Sequence, residues 1–389
     1  MLNCFYWYSI TWAFVLLLYS LRLSLFNRVL DFELLLFLIL TIFISFFVGY
    51  VNKRKFNYSC NAIDYGLKPI IIIIILFVLN FIYARSVPII SILSGSQVYR
   101  EFDSIPILYV MLNGISFYYG INYFNAYLNL KEHKRRNFIC FLIINVLFLL
   151  VFSRSTIIFL FGGAFILYIM SKRNNNKSNY KPIGKKYGLI IFFVILTLYA
   201  FGVLGNIRMG YKYNDNSYIQ RIGLYNNYPN FLPKEFMWSY SYLTSPLANL
   251  NNNVKNKNNS FNIKGVFSEL INRTIAKRIM PDLKYGEDLA VEIGLEKEYF
   301  SASTGFFSMY TYGGFIGMTL QYIVLIIISR IQIELVKNNN GKENCTYIIL
   351  LLANFLMFFY NSLSTTTVSW WLIINFVALL KKPKLKWRT

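Results

Sequence analysis

Long apolar runs, separated by short basic or polar stretches, divide the chain along most of its length. Ten of these runs approach the roughly 20 residues that a helix needs to cross a hydrocarbon layer of about 30 Å. The pattern therefore predicts an all-α polytopic membrane protein with about ten transmembrane helices. We place the spans near residues 3–21, 33–51, 69–86, 105–129, 137–153, 156–171, 187–206, 306–329, 345–361 and 364–380.

The longest apolar run, residues 138–171, contains a single charge, Arg154, between two serines. As one helix it would be about 51 Å long, too long for one span, so we expect it to fold back at Ser153-Arg154-Ser155. An arginine in a membrane segment is costly unless it reaches water, an anion or a carbonyl. Either Arg154 only snorkels to the headgroups, or its guanidinium faces an anionic ligand.

The composition agrees with a membrane protein, with 56% apolar and 14% charged residues against about 25% charged in soluble proteins. The net charge of +22 comes from lysines and arginines in the short loops, so we expect no nucleic-acid partner. The first apolar segment lacks a basic leader and a small-residue cleavage site, and we interpret it as the first span.

The distribution of basic residues predicts the orientation. With the N-terminus inside, the inner loops and the C-terminal tail hold 22 of the 39 lysines and arginines, and the short outer loops hold 5. This asymmetry places both termini in the cytoplasm. The chain then divides into helices 1–7 (1–206), one large outer loop (207–305), and helices 8–10 with a basic tail (306–389).

We expect three parts in the outer loop. The first is rich in aromatic residues, and the second, residues 249–260, is interpreted as an Asn-rich low-complexity linker. The third, residues 265–280, has apolar residues at helical spacing and basic residues on the other face. It is predicted to be one basic amphipathic helix on the membrane surface or on the helix bundle.

Arginines on the outer side are the strongest chemical signal. Arg208 follows the seventh span, at a depth expected to match that of Arg154, and the loop adds Arg221, Arg273 and Arg278. Because a guanidinium pairs bidentately with phosphate oxygens, these five residues predict the capture of a lipid phosphate or diphosphate.

Candidates for acid–base chemistry are few. The only histidine, His133, lies in an inner loop and cannot serve an outer site. Six carboxylates cluster in residues 280–300, where a solvated face explains most of them; Glu287 and Asp288 are our catalytic candidates. The spacing of Cys, His and acidic residues predicts no metal site, no cofactor and no disulfide framework.

Aromatic residues of the loop, Tyr242 among them, offer flat faces on which sugars stack, although an ordinary loop core is the alternative interpretation. Gly313, Gly314 and Gly317 share one helix face, and we interpret them as structural, allowing close helix packing.

Together these features resemble the O-antigen (Wzy-type) polymerases. The resemblance rests on the ten or so spans, the single late outer loop, the FSRS tip at 152–155, YLTSPLANL at 242–250 and SASTGFFSMYTYGGFIG at 301–317. It covers the whole chain in architecture but only these short stretches in motif.

The resemblance implies glycosyl transfer at the periplasmic face of the bacterial inner membrane, in lipopolysaccharide or similar surface-polysaccharide biosynthesis. Donor and acceptor would be oligosaccharide repeat units linked to undecaprenyl diphosphate, and a chain-length regulator protein is a further candidate partner beside membrane lipids. Arg154 and Arg208 would form the interface pair, with Arg273 or Arg278 reaching from the loop. Arginines would replace a metal in neutralising the leaving diphosphate.

Two other interpretations stay open. Another lipid-linked glycosyltransferase, such as an O-antigen ligase, would use the same donor, but the related ligases use a loop histidine that this chain lacks. A polysaccharide flippase would explain the spans and arginines, but it predicts repeated halves and short loops.

Overall fold

The computed structural model describes residues 2–93, 104–175, 195–196, 198–203, 228–229, 231–293, 295, 300 and 302–380. Within these ranges all regular structure is helical and no strand is present. The prediction of an all-α protein is therefore confirmed.

The helices, numbered in chain order, are α1 (Cys4–Ser20), α2 (Phe32–Val51), α3 (Lys68–Ala84), α4 (Pro88–Leu93), α5 (Leu108–Asn129), α6 (Lys134–Leu150), α7 (Arg154–Asn175), α8 (Phe236–Lys255), α9 (Ile263–Ser268), α10 (Arg273–Ile279), α11 (Gly286–Ile293), α12 (Phe307–Val336), α13 (Glu343–Phe355) and α14 (Thr366–Leu380). Residues 198–203 form a further helical stretch before α8.

Among the described residues, three helical segments are long and apolar enough to cross a membrane: Phe32–Val51, Ser155–Asn174 and Phe307–Val336. The shorter apolar helices include α1, α3 and α14. The chain is thus a helical protein with several segments suited to a membrane. The number of ten spans and their orientation stay predictions.

The long apolar run reverses where its length requires. Helix α6 ends at Leu150 and α7 begins at Arg154. Between them Phe152 takes a left-handed φ of 57°, and the Ser153 N–H donates to the Phe148 carbonyl at 2.9 Å. The hydroxyls of Ser153 and Thr156 are 2.7 Å apart. These local hydrogen bonds pair polar groups that the end of one helix and the start of the next would otherwise leave without partners. They mark a turn between α6 and α7.

An extended segment, residues 56–66, crosses one end of the bundle, and we call it the strap. Asn344 at the start of α13 both accepts from the Ser59 N–H (3.0 Å) and donates to the Ser59 carbonyl (2.7 Å). Tyr58 donates to Asn129 at the end of α5, and Asp64 is ion-paired with Arg136 of α6. Helix ends that meet the same strap must lie at one end of the bundle, the strap end.

At the opposite end of the bundle, α8 is hydrogen-bonded to the residues that connect α1 and α2. The Tyr240 hydroxyl of α8 donates to the Leu18 carbonyl at the end of α1 and accepts from the Leu23 N–H, both at 3.1 Å. Asn251, also on α8, accepts from the Asp31 N–H before α2 at 2.8 Å. This end also contains the cleft described below, and we call it the cleft end.

Helix α5 lies in the middle of the bundle. The ring of Phe117 stacks on Trp371 of α14 with centroids 3.9 Å apart. Gly114 lies against the same helix, since a Cβ there would come within 2.6 Å of the Ile374 side chain. This small residue lets α5 and α14 approach closely, as in other membrane helix pairs.

The Asn-rich stretch is not a linker, and that prediction was wrong. Most of it forms the last two turns of α8, and three asparagines are buried there. Asn249 donates to the Phe300 and Ala302 carbonyls, each at 2.8 Å, and Asn253 donates to the Thr311 hydroxyl at 3.0 Å. Asparagine is a weak helix former, but here buried amide hydrogen bonds to groups from distant parts of the chain override that preference.

The predicted single amphipathic helix over 265–280 was also wrong. The segment forms two short helices, α9 and α10, and Asn272 caps α10 by accepting from the Thr274 N–H at 2.9 Å. The side-chain nitrogen of Asn272, Nδ2, donates to the Ser369 hydroxyl at 2.6 Å. The buried residues are small or polar, such as Ala276, whereas Phe267 and Ile279 point outward.

Helix α12 is broken near its start. Gly314 has φ 56° and ψ −149°, which only glycine adopts readily. The break frees the carbonyls of Thr311 and Tyr312, which accept from the N–H groups of Ser260 (3.0 Å) and Asn262 (2.9 Å). The glycines thus have a structural role, as interpreted from the sequence, although Gly314 acts through its backbone and not only through close packing.

Candidate functional site

A cleft of about 310 Å³ opens at the cleft end of the bundle. Its walls come from four separate parts of the chain: α8, the segment around α10 and α11, the residues that lead into α12, and the turn between α13 and α14. The lining residues are Tyr242, Ser245, Arg273, Gly286, Phe300, Ala302, Ser303, Thr304, Ser308, Phe359, Tyr360, Asn361 and Thr365.

Arg273 supplies the positive charge of the cleft. As the first residue of α10, it donates its backbone N–H to the Ser364 carbonyl at 2.8 Å. Its guanidinium lies against Gly286, where a Cβ would come within 2.5 Å of Nη1. Its Nε is buried without a hydrogen-bond partner, and no carboxylate among the described residues pairs with it within 4.0 Å. Among the described side chains, the guanidinium is thus left without a carboxylate partner; the Glu287 side chain, next to Gly286, lies outside them.

Hydroxyl groups stand on the wall that leads into α12. Thr304 is 3% exposed, and its Oγ1 has no hydrogen-bond partner. Ser303 and Ser308 line the same wall, at the start of the short helical segment that precedes the break at Gly314. The wall is fixed from behind by Gln321, which donates to the Gly305 carbonyl at 2.8 Å.

Aromatic rings also line the cleft. Tyr242 meets Phe300 edge to face with centroids 5.6 Å apart, and Trp238 lies 6.0 Å from Tyr242. Phe201 packs edge to face against Tyr242 at 5.2 Å. Trp238 belongs to the core, as the alternative interpretation has it, whereas Tyr242 lines the cleft. Sugar stacking on Tyr242 stays a prediction.

A buried carboxylate lies behind the cleft. Glu269 is fully buried, and its Oε2 accepts from Asn361 Nδ2 and from the Ser364 hydroxyl, both at 2.8 Å. Its Oε1 has no partner. Glu269 is not among the site residues predicted from the sequence, although one signal is present: it is the sole acidic residue within the stretch 261–281.

Tyr285 lies near the same carboxylate. Burial raises the pKa of the Tyr285 phenol, a hydrogen bond with Ser268 lowers it, and the charges of Glu269 and Arg273 act in opposite directions on it. The phenol donates to the Met280 carbonyl at 2.9 Å. This tyrosine is therefore held as a neutral hydrogen-bond donor near the cleft.

Of the predicted site residues, the structure brings together Arg273 and Tyr242. Arg278 is exposed and does not line the cleft, and Asp288 is exposed next to the wall residue Gly286. The remaining predicted site groups lie outside the part of the chain that the structure describes; they are Arg208, Arg221, and the side chains of Arg154 and Glu287.

The described residues contain no group of three His, Cys, Asp or Glu side chains arranged to hold a metal ion. Comparison of the chain with protein-family models, curated proteins and solved structures finds no match.

Proposed function

We propose that the chain is a polysaccharide polymerase of the Wzy type, which joins undecaprenyl-diphosphate-linked repeat units at the periplasmic face of a bacterial inner membrane. One observation carries the proposal: Arg273 enters a cleft that also presents aromatic rings and hydroxyl groups. A guanidinium that has no carboxylate partner among the described residues suits a diphosphate, and the rings and hydroxyls suit sugars. A cleft of this size falls within the range of small-molecule sites.

In the proposed reaction an acceptor sugar hydroxyl attacks the anomeric carbon of the donor. The new glycosidic bond forms as the bond from that carbon to the diphosphate oxygen breaks, and the hydroxyl proton leaves to a base or to water. Negative charge grows on the departing diphosphate. Arg273 and the hydroxyls at the start of α12 would stabilise that charge in a partly dry site, where electrostatic stabilisation is strong.

The contacts of the strap argue against the flippase alternative. A flippase must open to both sides, whereas the strap is tied to α5, α6 and α13 by side-chain bonds from Tyr58, Asp64 and Asn344. A cleft at one end and a tied segment at the other favour an enzyme that acts on one side. The ligase alternative shares the cleft chemistry and is separated from a polymerase only by experiment.

Arg273 and Arg278 offer a matched pair of variants, because both belong to α10 and only the first lines the cleft. In a strain deleted for the gene, Arg273→Gln should leave single-repeat bands on a polysaccharide gel. Arg273→Lys should give a weakened ladder, because lysine keeps the charge but not the bidentate geometry. Arg278→Gln should restore the full ladder, with all variants present in membranes at equal amounts by immunoblot.

The deletion strain itself decides among the functions. A single-repeat product indicates a polymerase, long polymer left on the carrier lipid indicates a ligase, and absence of any external product indicates a flippase. A normal ladder from Arg273→Gln would contradict the role of the cleft.

A further inference from the structure

The two short helices α9 and α10 expose their large apolar side chains. Ile263 and Phe267 form an i, i+4 pair on α9, and Ile275 and Ile279 form the same kind of pair on α10. Together with Phe261, just before α9, we call this set the apolar face. The exposed fractions of its five side chains run from 42% at Ile275 to 76% at Phe261.

The segment is held to the bundle by different residues. Val266 and Ala276 are its buried apolar contacts, and Glu269 and Asn272 supply the polar ones. Large apolar groups directed away from the core in such a cluster mark an interaction surface.

Cations are interleaved with the apolar face. Lys264, Lys277 and Arg278 are all exposed. Glu269, the acidic residue of this segment, is buried and turned inward. Such a surface is complementary to the headgroup region of a phospholipid layer. The apolar side chains would contact the acyl chains, and the cations would contact the phosphates.

The position of α9 relative to α12 sets the depth of this face. A Cβ on Gly313 would meet the Val266 side chain at 2.8 Å, so α9 lies alongside the first turns of α12. Helix α12 is one of the helices long and apolar enough to cross a membrane. Ile316, just beyond the break at Gly314, is 76% exposed and belongs to the surface that lipid would cover. The apolar face continues that surface.

We propose that the apolar face is seated in the headgroup–acyl boundary of the bilayer at the cleft end, with the three cations at the level of the lipid phosphates. The partner is the phospholipid surface, and anionic lipids are preferred. The inference does not depend on the proposed function. It follows that Arg273, on the same helix, is held at a fixed depth near the headgroups.

Spin labels on single cysteines in the full-length protein, reconstituted in lipid nanodiscs, test this depth. A Cys60→Ser background removes the exposed thiol, since the other three cysteines are buried. Labels at Phe267 and Ile279 should show a several-fold higher ratio of oxygen to nickel-chelate accessibility than labels at the exposed controls Lys257 and Asp282. Anionic lipid should raise that ratio further, and Lys277→Gln with Arg278→Gln should abolish the increase.

Two outcomes would overturn the proposal. Nickel-chelate accessibility at Phe267 and Ile279 equal to that at the controls would place the apolar face in water. Exclusion of both reagents there would show that protein, either a second copy or another chain, covers the face. The deletion-strain gel tests the proposed function, and the spin-label accessibility tests the depth of the apolar face. A negative result in one experiment therefore does not contradict the other proposal.

Discussion

Glu269 and Asn361 are joined by two hydrogen bonds across 92 residues of sequence. The Asn361 amide nitrogen donates to the Glu269 carboxylate at 2.8 Å and to its backbone carbonyl at 2.9 Å. Both residues are buried. The pair ties the segment that carries Arg273 to the turn that carries Tyr360 and Thr365, and so fixes two walls of the cleft relative to each other.

Removing the acceptor should therefore loosen the cleft end. Glu269→Ala removes the carboxylate acceptor of one Asn361 N–H and of the Ser364 hydroxyl, while the bond from Asn361 to the backbone carbonyl of residue 269 remains. Losing the buried acceptor should cost roughly 2–5 kcal/mol. Glu269→Gln keeps an oxygen for both donors and should cost less. Thermal unfolding in detergent measures the difference, with Asp282→Ala as the exposed carboxylate control. Equal stability of Glu269→Ala and the control would contradict the role of the pair.

The buried asparagines of α8 should contribute to stability in the same way. Asn249→Ala leaves the Phe300 and Ala302 carbonyls without their donor, and we expect a loss of about 1–3 kcal/mol. Asn256→Ala, at the exposed end of the same helix, should be nearly neutral. Unfolding midpoints of the two variants make the comparison; a loss shared by both would indicate a general effect on helix formation.

The break in α12 should depend on Gly314. Gly314→Ala places a Cβ 2.9 Å from the Asn259 amide, in a backbone conformation that disfavours any side chain, and should destabilise by about 1–3 kcal/mol. Gly162→Ala is the matched control, because nothing lies within 4 Å of a Cβ at that helical position. It should be neutral or stabilising. A neutral Gly314→Ala would show that the break tolerates a side chain.

The ion pair at the strap end should make stability depend on pH. Burial raises the pKa of Asp64, but hydrogen bonds from the Gly66 N–H and Arg136 outweigh it, so the net pKa lies below its usual value. The stabilisation is present above the unfolded pKa of about 3.9 and is lost as the pH falls through the lower folded value.

Asp64→Asn should accordingly lower stability at pH 7 and match the parent protein at about pH 2–3. The side chain of Asp64 is 37% exposed, so the effect should not exceed about 1 kcal/mol. Unfolding midpoints across this pH range test it. A constant difference between the two proteins at every pH would exclude the ion pair as the cause.

Thiol labelling tests the orientation. Cys60 is exposed on the strap, and Lys257 is exposed beside α8 at the other end. A membrane-impermeant maleimide applied to spheroplasts should label Lys257→Cys at once, and Cys60 only after permeabilisation. Labelling in the reverse order would invert the predicted topology.

The approximate positions of the long apolar helices could be predicted from the sequence, because burial in lipid or in a helical core demands long apolar runs. Most of the seventh predicted span, 187–206, lies outside the described residues, and α8 was not predicted as a helix. The reversal at Arg154 followed from length alone. The Asn-rich stretch could not be predicted, because its helical state depends on the Phe300, Ala302 and Thr311 acceptors, which come from distant sequence. The prediction of a single amphipathic helix over 265–280 was wrong for a related reason. The spacing of apolar residues indicates an apolar stripe, but it does not indicate which side of the segment packs on the bundle.

The sequence by itself predicted that the described part of the chain is all-helical, the approximate positions of most of its apolar helices, and a set of arginines from which a site could be proposed. Only the tertiary structure separated Arg273 from Arg278 and added Glu269. The physical reason is that helix formation and the hydrophobic effect act through local patterns. The cleft instead depends on hydrogen bonds such as Glu269–Asn361 and Asn249–Phe300, which exist only once distant segments have packed together.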